Sequence, residues 1–184
     1  MKINVSLSVL LFCCFGYSQE VPKDGDIEKT SLTYVKCDLS FPIKANQHAG
    51  EIDTYTGEKE YWFLPDGISA RIGFGVKPLD WINIGANLGI DWKGSKCLVV
   101  APVFATLKIC PKVESDTRIF IEPGFGRAFA FGKNDSGYFK KISIGAEDTD
   151  TGLGLYVELC QYGFSKNTAE TIGSFCVGLT FRIH

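Results

Sequence analysis

From Ile68 to Lys77 the chain alternates without a break. Ile68, Ala70, Ile72, Phe74 and Val76 fall on one face, and Ser69, Arg71, Gly73, Gly75 and Lys77 on the other. The next segment repeats the pattern, with Ile82, Ile84, Ala86, Leu88, Ile90 and Trp92 set against Asn83, Gly85, Asn87, Gly89 and Asp91. Period two is the geometry of a strand; a helix would bring residues three and four apart together and mix isoleucine with asparagine. The same reading predicts eight strands, near 31–43, 68–78, 82–92, 98–110, 118–131, 138–148, 152–164 and 172–184, with one long irregular stretch at 44–66. The last strand is among the cleanest, placing Phe175, Val177, Leu179, Phe181 and Ile183 opposite Ser174, Cys176, Gly178, Thr180 and Arg182.

Alternation alone fits two opposite objects, a soluble barrel or sandwich with its oily face inside and a membrane barrel with that face turned to lipid. The composition of the other face decides between them. It carries Gly73, Gly75, Gly85, Gly89, Gly124, Gly126, Gly145, Gly152, Gly154 and Gly178. Glycine on a solvated strand face weakens the strand for no return, whereas a narrow barrel interior must alternate small residues with large ones. The same face holds Lys36, Asp38, Arg71, Asp91, Glu122, Glu158 and Arg182, together with Lys108, Lys141 and Glu147: five basic and five acidic side chains. Enclosed charges persist when paired, so this balance predicts a lumenal charge network.

Strands of about 11 residues, tilted near 45°, rise roughly 25 Å, the height of an outer-membrane apolar band. The predicted architecture is all-β: a closed, eight-stranded, antiparallel, up-and-down transmembrane barrel. An even strand number returns both termini to one side, expected to be periplasmic, and sends the long 44–67 connection outward. Trp81 at one edge, and Phe41, Trp92, Phe131 and Tyr138 at the other, are placed as interfacial girdles. Two cations break the oily face, Arg127 and Lys140. Such a side chain costs about 2–4 kcal/mol at the bilayer midplane and roughly 0–1 kcal/mol near an interface. Lys140 can snorkel from its strand end, and Pro123 is a candidate bulge that would shift the register before Arg127.

Ahead of the strands, Lys2, the apolar run Val5–Phe15 and Gly16-Tyr17-Ser18 have the form of a secretory signal peptide spanning 1–18, followed by a short leader, 19–30, and the barrel, 31–184. No apolar stretch reaches the length of a membrane helix. A formal charge of -2 gives nucleic acid nothing to bind.

Four features together resemble the small eight-stranded outer-membrane β-barrel superfamily of Gram-negative bacteria (OmpA-, OmpX- and OmpW-like). They are the signal peptide, the hairpin Ala70–Gly85, the Glu122-Pro-Gly-Phe-Gly126 strand and the closing Val177-Gly-Leu-Thr-Phe-Arg-Ile183. The resemblance implies an outer-membrane location, lipid as surroundings, recognition by the barrel-assembly machinery during biogenesis, and no cofactor. It departs in ending on His184 and in its cysteines.

Candidate chemistry is sparse. Five cysteines follow the signal peptide: Cys37 and Cys97, read as lipid-facing, and Cys110, Cys160 and Cys176. If Phe164 faces Ile172, Cys160 lies directly opposite Cys176 inside the barrel. The outcomes are then a disulfide, in an oxidising compartment, or two free thiols, since cross-strand Cβ separations of about 4.5–5.5 Å exceed the roughly 3.8 Å of a disulfide. His48 has no catalytic or metal partner at a recognisable spacing, and no catalytic residue is assigned. Asp148-Thr-Asp150-Thr-Gly152 echoes a calcium loop but lacks its downstream acid and is read as a tight turn. The 44–66 stretch, with Tyr61-Trp62-Phe63, is read as a partly ordered cap, or else as a site for an unknown extracellular ligand. The expected function is non-enzymatic, structural or surface-exposed. The alternatives are a soluble lipocalin-like carrier of an apolar ligand and an outer-membrane lipid-modifying enzyme.

Overall fold

The computed structural model describes residues 32–46, 48–52, 57–113, 116–131, 135–164 and 170–183. The expected signal peptide and leader, 1–18 and 19–30, lie outside the described residues. Among the described residues nine strands are formed: β1 Thr33–Ala45, β2 Phe63–Pro65, β3 Gly67–Leu79, β4 Ile82–Lys93, β5 Leu98–Ile109, β6 Thr117–Phe131, β7 Asp135–Asp148, β8 Leu153–Phe164 and β9 Glu170–Ile183. All pairings are antiparallel, and β9 returns to β1, from Val35 opposite Ile183 to Ile43 opposite Phe175. The ring therefore closes through eight staves, β1 and β3 to β9, and leaves no unpaired barrel edge.

The apolar face is outside. Ile72 (48% exposed), Ile84 (49%) and Leu155 (63%) project outward, whereas Arg71, Asp91 and Glu158 on the other face are at most 4% exposed. The girdle residues Phe41, Trp81, Trp92, Phe131 and Tyr138 all lie on this exposed outer wall.

Two expectations about local irregularity are corrected. Pro123 makes no bulge: β6 keeps one register with β7 through Pro123 opposite Ile142. The ladder to β5 lapses between Thr106–Gly124 and Ile109–Ile121, where Pro123 has no N–H to give, and resumes in step. The register shift lies instead between Val76 and Leu79, beside Pro78, at the turn into β4. Secondly, the described residues of 44–66 are more regular than the irregular stretch expected. β2 pairs with the end of β1, and the ribbon continues beyond the barrel through Asn46 N to Trp62 O (3.0 Å), Gly50 N to Glu60 O (3.0 Å) and the Ile52–Lys59 bridge. The product is a hairpin arm with Tyr61, Trp62 and Phe63 exposed, at the barrel end away from the terminal strand ends.

Candidate functional site in the barrel lumen

Because inward positions recur every second residue on every stave, charges distant in sequence meet across a narrow bore. Lys36 Nζ donates to both Glu122 oxygens (2.6 and 2.9 Å) and lies 3.2 Å from Asp38. Lys141 Nζ bridges Glu122 at 3.0 Å and Glu158 at 2.8 Å. Arg71 donates to Glu158 through Nη1 (2.5 Å) and to Asp91 in bidentate fashion through Nε (3.1 Å) and Nη2 (3.0 Å). One chain of contacts, Lys36–Glu122–Lys141–Glu158–Arg71–Asp91, thus ties β1, β6, β7, β8, β3 and β4 together. Nearer the termini Lys108 and Arg182 share Glu147, at 2.5 and 3.2 Å, which brings in β5 and β9. Hydroxyls add further donors: Thr180 donates to Asp38 (2.6 Å), Ser143 to Glu158 (2.9 Å) and Tyr162 to Asp91. Buried ion pairs hold only when lone pairs and protons are matched in this way.

The seven charges expected in a network are therefore all buried, and each has an opposite charge within 3.2 Å, although Arg182 Nε and Nη2 make no hydrogen bond. Sequence reasoning missed Lys93, which continues the inward parity of Asn83 to Asp91 but falls one position past the expected strand end. It is 2% exposed, with Nζ 4.4 Å from the centre of the Tyr162 ring. It makes the described lumenal set six cations to five carboxylates, and cation–π contact is its visible compensation. Above Arg71 an aromatic plug closes the bore, with Phe104 and Phe139 rings 4.8 Å apart, Phe139 and Tyr162 5.1 Å, and Tyr162 and Phe164 6.4 Å.

The glycines have a partner rule of their own. In the ladders Tyr34 faces Gly75 and Lys36 faces Gly73. Arg71 faces Gly89, Phe104 faces Gly126 and Phe120 faces Gly145. Lys141 faces Gly124, Glu147 faces Gly154 and Tyr156 faces Gly178. Each of these eight side chains lies over the gap left by a glycine on the neighbouring stave. Among the described residues, an internal cavity of about 10 Å³ lies among Lys108, Glu122, Lys141 and Tyr156, close to the space one water needs. The apolar face that a soluble carrier would turn inward is here the exposed one.

The expected opposition of Cys160 and Cys176 is corrected by two residues. Phe164 pairs with Glu170, so Cys160 faces Ser174 and Cys176 faces Glu158. The thiols are diagonal neighbours, both buried and both free, with Cys160 Sγ donating to Glu158 at 2.8 Å. Cys97 lies in the exposed turn between β4 and β5 at φ 45° rather than on the lipid wall. In the folded barrel a maleimide should label Cys97 first, and Cys110, Cys160 and Cys176 only after unfolding. Mass spectrometry of timed samples reads the order, and early labelling of Cys160 would mean an open lumen.

His48 is exposed and touches Glu51 at 3.1 Å. The Asp148–Gly152 turn is closed by its own acid, whose oxygens accept from Asp150 N (2.9 Å) and Thr151 Oγ1 (3.1 Å).

No family model matches the sequence, and no curated protein matches it. Among solved structures, Neisserial surface protein A is similar with a TM-score of 0.52 and 13% identity, over 82% of this chain and 97% of that one. A designed transmembrane β-barrel is also similar (TM-score 0.44, 13% identity, 85% of this chain and 100% of that one). So is Ail, the attachment invasion locus protein of Yersinia pestis (TM-score 0.40, 9% identity, 82% and 97%). With every stave antiparallel, the ring closed and the charges enclosed, this chain has the fold of the small eight-stranded outer-membrane β-barrels.

Proposed function

We propose that this protein is a non-enzymatic integral barrel of a bacterial outer membrane, with both termini periplasmic and the hairpin arm displayed outside. Its outer wall meets lipid. The barrel-assembly machinery inserts it, and any extracellular partner is met by the arm and the neighbouring connections. The supporting observation is the inverted wall itself: an apolar belt around an ion-paired lumen is unstable in water and at rest in a bilayer. The lumen then acts as a strut that holds the staves, and binding is left to the exposed aromatics of the arm.

Two measurements test this reading. The protein should stay with the membrane pellet and migrate faster on cold SDS gels than after boiling; recovery in the soluble fraction without detergent overturns it. Trypsin added to intact cells should cut the arm at exposed Lys59 and leave the barrel whole. Cleavage seen only after lysis would reverse the orientation.

A further inference from the structure

Arg127 and Lys140 are cations on a largely apolar outer wall, with Gln161 opposite Lys140, and with no bulge at Pro123 nothing turns Arg127 inward. Arg127 pairs with Tyr138 and Lys140 with Phe125, so the two cations are diagonal neighbours across β6 and β7. The Lys140 ammonium lies 5.1 Å from the Tyr138 ring centre, and among the described residues neither cation takes an ion pair. Beside them an open groove of about 580 Å³ runs along the outer wall, lined by Phe125, Arg127, Tyr138, Gly163 and Thr171. A glycine shapes it. Tyr138 lies flat over Gly163, where a Cβ would come within 2.0 Å of the ring. The groove sits at the girdle height marked by Tyr138 and Phe131, toward the arm end.

Below it, toward the middle of the wall, the outward residues are Ile142, Ile144, Val157 and Leu159, all exposed and all aliphatic. An occupant must therefore carry negative charge at the groove and hydrocarbon beneath it. We propose that this groove binds the phosphate of a lipid in the arm-side leaflet, its acyl chains lying along β7 and β8. Arg127 offers a planar donor pair suited to phosphate oxygens, and Lys140, its diagonal neighbour outside the groove lining, adds a point charge to the same patch. A guanidinium with no ion pair among the described residues is costly at the edge of hydrocarbon, and a lipid phosphate would supply a counter-charge. The inference rests on the membrane reading above.

The purified protein in octyl glucoside micelles, given dimyristoyl phosphatidic acid or the matching phosphatidylcholine, tests it by native mass spectrometry. The intact protein should keep one phosphatidic acid, with about tenfold preference over the choline lipid. Arg127→Ala/Lys140→Ala should lose that preference, and Arg127→Lys should keep part of it. Equal retention of both lipids, or no difference in the double variant, overturns the proposal. So does displacement by millimolar inorganic phosphate, which would make the site one for free anions. Cold-gel mobility of each sample is read in parallel: a protein that forms no compact barrel strikes at the membrane reading, whereas a compact barrel without lipid preference strikes only at the groove.

Discussion

Glu158→Leu should lower the unfolding free energy by about 3–5 kcal/mol, read from urea titration of the barrel in micelles. Glu158 is 1% exposed and accepts from Arg71, Lys141, Ser143 and Cys160. Its loss removes the one carboxylate that joins the two halves of the cross-lumen chain and leaves an extra buried cation beside a described set of six cations to five carboxylates. The penalty comes from the stranded charges rather than from lost attraction, and this gives the experiment a second arm. Lys141→Met/Glu158→Leu removes one charge of each sign. It leaves Arg71 with Asp91 and Lys36 with Glu122, so it should recover more than half of the single variant's loss. A double variant as unstable as the sum of both singles would mean that the pair is not coupled. A single-variant loss below about 1 kcal/mol would mean a hydrated lumen, where screening makes each pair weak.

The fold was largely legible because two faces of opposite chemistry fix strand parity, and parity is all a one-residue slip can break. That is why the eight staves and the seven lumenal charges were readable from residues such as Arg71 and Glu122. Register is different. A slip of two keeps every side chain on its face and changes all its neighbours, and it is set by connections whose geometry the alternation does not encode. The Cys160–Cys176 opposition failed in this way, by two residues at the β8–β9 end. Lys93 was lost to a strand end drawn one residue early, at Trp92. The arm was missed because its pairing runs through Asn46, Gly50 and Glu60, polar positions with no oily face to alternate. The glycines were recognised as a small face, yet that eight of them face a long side chain on a neighbouring stave could be seen only once the staves were aligned.

That pairing makes two chemically identical substitutions differ in sign. Gly126 faces Phe104 across the β5–β6 ladder, and a Cβ there would lie 2.1 Å from the Val103 carbonyl oxygen and 2.5 Å from Phe104 Cα. Backbone cannot give way as a flexible side chain can, so Gly126→Val should destabilise by at least about 2 kcal/mol or prevent the compact cold-gel form altogether. Gly173 lies on the outward face of β9, opposite Gln161, with nothing within 4 Å of its virtual Cβ. Gly173→Val adds a β-branched side chain with open space around it, improves strand propensity and enlarges the lipid-facing surface. Its expected effect is neutral to stabilising by about 0.5–1 kcal/mol. A barrel with its small face in water would give nearly the reverse, gaining from valine at Gly126. Equal urea midpoints for the two variants would mean that the glycines are not the recesses for the lumen's long side chains, and the packed interior would lose its structural basis.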